Sequence, residues 1–481
     1  MSRPRRLGTG LAAGAAALAA IVAVPLTVAA APAPAHTAAA RDAASWLAGE
    51  FADGALPGPF AGEDWGLTVD GILALSATGV AAPVRQAATA QVAAHVRSYN
   101  SYDEWGIEGF TDGGATAKLL YTASAAGADP TSFGGFDLRA ETLSLIAGAD
   151  AGHQRGRITS RTTAASGPDA SNTFDQSFAV LGLARSGDVP QDAVDFLLRQ
   201  QCAAGGFRLY PDAEGGPSPS CDEQSGATLD VDSTAMAVQA LLAAAAEGAT
   251  GAAAAAGRGA DWLAARQHAD GSFGGSGPTT GTNSNSTGLA GQALAAAGRD
   301  TEAARAAGAL SALQLTTAGG GAAAAEAGAL AYNAEGFAAA VSTGITDTDR
   351  DQWRRATAQA LLGLAQVPFG RIGLDPPPAS PEPTPTGSAS PTGSPSTGPT
   401  GAPTPTGTVS PAPSATGSDE PPTPSPTTAP ASPGGPGATP DAPGSGGLPT
   451  TGAAITTYLL VALLLVGAGV TLLVLARRRK A

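Results

Sequence analysis

The 481-residue chain has little of what most site chemistry requires: two cysteines, four histidines, two methionines and only 5% aromatic residues. None of His36, His95, His153 and His268 stands at metal-ligand spacing from another, so neither a zinc site nor any other metal is expected, and no cofactor is predicted. Charge is sparse at 14%, and positive charge is the scarcer sign, with 26 Lys and Arg against 40 Asp and Glu. Seven of the basic residues sit in the acid-free ends, residues 1–35 and 452–481, which leaves 19 basic and 40 acidic residues between them. Such a stretch repels phosphate, and nucleic acid is excluded as a partner. Alternating β-branched runs are nearly absent, which excludes a fold built on sheets.

What the chain does have is small residues, with 65 Gly and 38 Pro, and strongly marked ends. Arg3, Arg5 and Arg6 precede an apolar run from Leu11 to Ala31, and Ala33-Pro34-Ala35 fits a small-x-small cleavage site. Residues 1–35 are therefore expected to be a signal peptide, and the chain is expected to be exported. At the other end Leu448-Pro449-Thr450-Thr451-Gly452 precedes an uncharged run, Ala453–Ala476, and then the basic tail 477–481. Those 24 residues suffice for a membrane-spanning helix whose basic flank stays cytoplasmic. This three-part signal resembles that of the sortase-anchored surface proteins of Gram-positive bacteria. The resemblance implies cleavage between Thr451 and Gly452 by a sortase transpeptidase and covalent attachment of Thr451 to peptidoglycan. Residues 375–447 are almost wholly Pro, Thr, Ser, Gly and Ala, too polar to bury a core, and read as a disordered stalk reaching about 200 Å. The folded, working region is then 36–374.

Within that region a pattern recurs. Phe196-Leu197, Gln201 and Gly205-Gly206-Phe207 match Trp262-Leu263, Gln267 and Gly271-Ser272-Phe273 at identical spacing. Trp46-Leu47 with Asp53-Gly54, and Leu310 with Gln314 and Gly319-Gly320-Gly321, are weaker copies. A second, Ala/Leu-rich helix follows each turn, closing at Gly79, Gly127, Gly187, Gly248, Gly298 and Gly344, which gives six helical hairpins of about 50 residues. Those second helices are apolar almost all round and need cover on every side. An inner ring of them wrapped by an outer ring bearing the Trp/Phe-Leu positions meets that need, so the expectation is an all-α fold, an α/α toroid. An open solenoid is the competing arrangement. The repeat resembles that of the prenyltransferase/squalene-oxidase family, over about residues 43–367, and the resemblance also implies a toroid. Its relatives include terpenoid cyclases, protein prenyltransferases and thioester domains, so fold alone selects no function.

Three inherited chemistries can be weighed against the residues. Asp230-Val231-Asp232-Ser233-Thr234-Ala235 resembles the acid motif of class II terpene cyclases, with Asp232 matching the proton donor, although Ser233 replaces the last Asp. The alternative is that Asp230 and Asp232 cap a helix. The prenyltransferase zinc site lacks its ligands. Cys221-Asp222-Glu223-Gln224 is similar to a thioester motif, but Cys202 and Cys221, the two cysteines of an exported chain, read better as a disulfide. Asp347–Asp351 resembles a calcium loop without its Gly and bidentate Glu, and reads as a helix start instead.

In a toroid the inner helices start at one end, and the polar residues falling there are the candidate ligand-binding set. They are Asp64, Asp70, Asp112, Asn172, Asp175, Asp230, Asp232, Asn283, Asn285, Asn333 and Glu335, with Trp65, Trp105 and Tyr210 nearby in sequence. Singly, each polar residue fits a helix cap and each aromatic fits packing. Together they describe an acidic funnel suited to a small molecule, a glycan or a partner segment. The alternative is an enzyme, either a diverged terpene-cyclase-like protein or a carboxylate-dependent glycan hydrolase or lyase, with Asp232 the catalytic candidate. A thioester adhesin is the third reading.

Overall fold

The computed structural model describes residues 37–59, 62–211 and 219–374. The expected signal peptide, stalk, sortase motif, apolar run and basic tail lie outside the described residues.

The chain folds as successive outer and inner helices. Outer α1 (Thr37–Gly49) leads to inner α2 (Trp65–Thr78), and outer α3 (Ala82–Ala94) with the short α4 (Val96–Asn100) leads to inner α5 (Gly113–Ala125). Then α6 (Leu138–Ser144) precedes α7 (Thr173–Ser186), α8 (Gln191–Arg199) precedes α9 (Val231–Ala246), and α10 (Ala252–Arg266) precedes α11 (Ser284–Ala296). The last unit holds α12 (Asp300–Ser311), α13 (Ala334–Thr343) and α14 (Arg350–Ala365). Inner helix packs on inner helix in the order α2, α5, α7, α9, α11, α14, and α14 returns to α2. The ring is closed, so the structure is an α/α toroid and not an open solenoid. Three two-stranded antiparallel ribbons stand on the connections: β1 (Ser101–Tyr102) with β2 (Ile107–Thr111), β3 (Phe207–Arg208) with β4 (Leu229–Asp230), and β5 (Phe273–Gly274) with β6 (Thr282–Asn283).

The inner helices are buried all round because alanine and glycine let their backbones approach. On α9, Ala235, Ala237, Ala240 and Ala244 are fully buried. Between α11 and α14, a Cβ on Gly288 would stand 2.7 Å from the Ala360 Cα, so backbone meets backbone there. The recurring outer pairs Trp46-Leu47, Phe196-Leu197 and Trp262-Leu263 pack against this inner wall, as the repeat predicts.

The repeat glutamine ties one unit to the next. Gln201 Nε2 donates to Gly205 O of its own turn (2.8 Å) and to Ala255 O on α10 (2.9 Å). Gln267 does the same to Gly271 O (3.0 Å) and Glu302 O on α12 (2.8 Å). Gln314 reaches Gly328 O (3.1 Å) and Ala39 O on α1 (2.8 Å), so the last unit is joined to the first by the bond that joins the others. The turn glycine must sit against the following outer helix with positive φ. Gly271 has φ +92°, and a Cβ there would fall 2.3 Å from Arg305 O.

Two features depart from the sequence expectation. The helix ending at Gly344, α13, is not the sixth inner helix; it packs outside the ring on residues Gly321–Glu326, and α14 takes the inner place. An Ala-rich segment imitated an inner helix, whereas the charged start of α14 reads as surface. The turn glycine of that unit is Gly328, not Gly319–Gly321, because Gly321–Glu326 is inserted between.

After α14 the chain crosses the far end of the ring. Phe369 N donates to Gln239 Oε1 (2.8 Å), Gln292 donates to Val367 O (2.6 Å), Tyr121 Oη to Phe369 O (2.9 Å), and Arg185 to Gly370 O (2.8 Å). Residues from α5, α7, α9 and α11 thereby hold one segment as a floor.

Candidate functional site

Opposite that floor the inner helices begin, and side chains cap them as their sequences require. Asp64 accepts from Leu67 N, Asp112 from Ala115 N, Asp230 from Ser233 N and Asn283 from Ser286 N. Asn172 and Asp175 form a reciprocal capping box on α7. Each of these candidates therefore has a structural duty, and the question is which atoms are left over.

A second regularity fixes what lines the lumen. Four residues after each cap stands Thr68, Thr116, Gln176, Thr234 or Thr287, and Thr357 takes that place on α14. Each accepts a hydrogen bond from outside the inner ring: from the amides of Leu56, Ile158, Phe207, Phe273 and Leu330, and from the Asn100 side chain, at 2.7–2.9 Å. A helix turns about 100° per residue, so positions two before and two after this outward residue face inward. The upper layer is then Gly66, Gly114, Phe174, Asp232, Asn285 and Arg355; the lower is Asp70, Lys118, Phe178, Met236, Leu289 and Gln359.

The lower layer holds a buried ion pair. Lys118 Nζ lies 2.5 Å from Asp70 Oδ1, and Gln359 Nε2 donates to Asp70 Oδ2 at 3.2 Å. Burial works against the ammonium, but the Asp70 carboxylate outweighs it and holds the Lys118 pKa above its ordinary value. The three residues come from α5, α2 and α14, so the pair spans the seam between the first and last inner helices. Lys118 and Gln359 were not among the candidates, although the register of the outward threonines would have found both.

Nearer the mouth are two carboxyl groups with oxygens that no protein donor reaches. Asp175 is 3% exposed; its Oδ2 accepts from Asn172 N, while its Oδ1 is buried without a partner. Burial first, and then the charge of Asp112, push its pKa well above the usual carboxylate range. Asp112 itself is raised to about 6, chiefly by burial, against the lowering effect of its cap bond. Asp232 is 9% exposed and its Oδ1 is likewise buried and unpartnered. Burial and the neighbouring Asp230 raise its pKa to about 7. Ser286 lies beside Asp232 and favours its ionised form, yet Ser286 Oγ makes no bond of hydrogen-bond geometry. Asp230 is fully engaged, accepting from Ser233 N and Oγ and from Ser276 Oγ, each at 2.7 Å. Gln359 Oε1, deeper in the lumen, also lacks a donor.

The remaining candidates separate. Asp64 is paired with Arg355, which also holds Asp351. Asn285 is buried in the upper layer. Trp65 turns outward and stacks on His95 at 4.3 Å, so it is packing and not lumen. Asn333 caps α13 and Glu335 is exposed on that helix, both outside the inner ring. Trp105 and Tyr210 are each 56% exposed on the rim. Tyr210 borders a pocket of about 330 Å³ with Arg208, Gln224, Thr228 and Ser276.

Cys202 and Cys221 form a disulfide with Cα atoms 4.9 Å apart, which overturns the thioester reading. Gln224 instead accepts from Arg208 Nη1 at 2.7 Å. The acidic run 347–351 leads into α14 as a helix start. Among the described residues no His, Cys, Asp and Glu side chains cluster as a metal site.

Comparison with known proteins bears on the C-terminus. Residues 440–481 match the family described as the LPXTG cell wall anchor motif. No characterised protein matches the chain by sequence. Among solved structures, a protein from Actinoplanes is similar at 18% identity and TM-score 0.44, over 69% of this chain and 99% of that one. The unsaturated glucuronyl hydrolase of a Bacillus species is similar at 14% identity and TM-score 0.44, over 69% and 97%. An inactive α-1,6-mannanase variant from a Salegentibacter species, in complex with α-1,6-mannotriose, is similar at 12% identity and TM-score 0.47, over 69% and 99%. The anchor motif implies sortase processing and attachment to peptidoglycan, and the protein is a cell-wall-anchored extracellular protein of a Gram-positive bacterium.

Proposed function

We propose that the toroid binds a hydroxyl-rich ligand, a glycan, at the mouth of its ring, displayed from the wall on the stalk 375–447. One observation carries this reading: Asp175 Oδ1 and Asp232 Oδ1 are buried acceptors without protein donors, and such groups cost about 1–3 kcal/mol each until a donor arrives. Sugar hydroxyls are donors of the right kind. A phosphate or carboxylate ligand would meet acids in the same place. The resemblance of the repeat to the prenyltransferase/squalene-oxidase family belongs to this reading as an origin for the ring, with its lipid chemistry given up. Residues 1–35 act as the signal peptide and 453–476 as the span that precedes sorting at Thr451.

A second reading has its own support. With a pKa of about 7, Asp232 is partly a carboxylic acid at neutral pH, and a buried acid of this kind can protonate a glycosidic oxygen. The two readings part on the fate of the sugar. Protein released from the wall is incubated with neutral oligosaccharides, and bound and free sugar are analysed by mass spectrometry. Binding gives saturable uptake of intact sugar, weakened by Asp232→Leu. Catalysis gives shortened products that vanish in Asp232→Asn. Neither uptake nor products would refute the glycan reading.

A further inference from the structure

The β1–β2 hairpin stands directly on the N-terminus of α5, at the mouth. Its base is fixed: Thr111 and Arg161 exchange backbone bonds at 3.0 and 2.9 Å, and Asp112 N donates to Asn100 O at 2.8 Å. Its tip, Asp103–Trp105, presents the Trp105 indole, 56% exposed. A chain this poor in aromatic residues leaves one of its five tryptophans largely in water here, where covering it would be favourable.

The indole is supported from below. Tyr102 lies under Trp105 with centroids 5.1 Å apart and planes at 48°, and Tyr102 stacks on Phe110 at 3.9 Å and 28°. Phe110 is buried at the hairpin base. Three rings thus run from solvent to the wall of the ring, giving Trp105 a firm footing that a loose surface side chain lacks. Tyr102 is close enough to Asp112 for the carboxyl to act on its hydroxyl, and Asp112 in turn acts on Asp175. The aromatic face and the unpartnered Asp175 Oδ1 therefore belong to one continuous surface.

We propose that Trp105 is the stacking platform for one pyranose ring of an oligosaccharide whose neighbouring residue donates its hydroxyls to the Asp112–Asp175 carboxyl groups. A pyranose has an apolar C–H face and a polar edge. An apolar ligand would satisfy the indole but leave Asp175 orphaned, and a charged one would be repelled by the acids. Because platform and acceptors lie on successive parts of the rim, the ligand is a chain of sugars and not a single residue. This inference rests on the glycan reading above.

The test uses the full chain displayed on cells and fluorescently labelled neutral hexasaccharides of glucose, mannose and N-acetylglucosamine, with the monosaccharides for comparison. Dissociation constants are measured for the unaltered protein, Trp105→Ala, Trp105→Phe and Leu143→Ala, the last an exposed apolar residue on α6. Trp105→Ala is expected to weaken the bound hexasaccharide about tenfold, Trp105→Phe less than about threefold, and Leu143→Ala not at all. The monosaccharide is expected to bind far more weakly than the hexasaccharide. Hexasaccharide binding that is equal in Trp105→Ala, or lost equally in Trp105→Phe, overturns the platform and leaves the glycan reading standing. A monosaccharide that binds as well as its hexasaccharide overturns the two-residue site. No binding of any probe by the unaltered protein overturns both readings.

Discussion

Replacing Asp232 by Asn isolates the most consequential electrostatic feature of the mouth. Burial and Asp230 move the Asp232 pKa from 3.8 to about 7, so between those values the folded protein holds a proton that the unfolded chain has released. Stability from this group is complete below about pH 4 and is lost as the pH rises through about 7. A displacement of that size corresponds to about 4 kcal/mol, and coupling to Asp230 reduces the share of Asp232 to about 2–4 kcal/mol. Asn keeps the shape and cannot ionise. Urea unfolding followed by circular dichroism, from pH 4 to pH 8, should show the unaltered protein losing about 2–4 kcal/mol more than Asp232→Asn across that range. The variant should be the more stable of the two at pH 8. Asp112 and Asp175 are raised as well, so both proteins keep a residual slope of the same sign. Parallel stability curves for the two proteins would refute the reasoning.

Other consequences are as direct. Lys118→Met leaves Asp70 buried without its cation and should cost about 3–5 kcal/mol, whereas Lys118→Met with Asp70→Leu should recover most of it, as a double-mutant cycle in urea would show. Glu50 joins both Arg350 and Arg354 across the start of α14, so Glu50→Ala should lower stability by about 2 kcal/mol and expose the α1–α14 seam to faster amide exchange. Cys202→Ser with Cys221→Ser opens a loop of 19 residues and should cost about 3 kcal/mol in the entropic account, measured by the shift in urea midpoint.

The ends of the helices were legible and their insides were not. Asp64, Asp112, Asn172, Asp230 and Asn283 announced themselves because a cap is a local requirement: one short polar side chain before an apolar run. Five of the six closing glycines were readable for the same reason. Lys118 and Gln359 were missed because a lone polar residue in an Ala/Leu helix gives no sign of which way it faces, and the outward threonine supplies that direction only once its role is known. Trp65 was placed at the mouth by its nearness in sequence to Asp64, yet one residue of helix turns a side chain by about 100°. The sixth inner helix was misassigned because Arg350, Arg354 and Arg355 look like a solvated face, whereas they are spent on Glu50, Glu326, Asp64 and Asp351 at the closing seam.

The floor segment has a mechanical meaning. The chain enters its anchor-bearing tail immediately after Phe369–Arg371, and Gly373 lies against the Ala125 carbonyl at the end of α5. Any tension carried through the wall attachment is therefore applied at the middle of the ring, to a strand gripped by Tyr121, Arg185, Gln239 and Gln292 from four different helices. Load enters as shear shared among those helices, not as the peeling of one terminal helix from its neighbour. A surface protein exposed to flow is held by its hub.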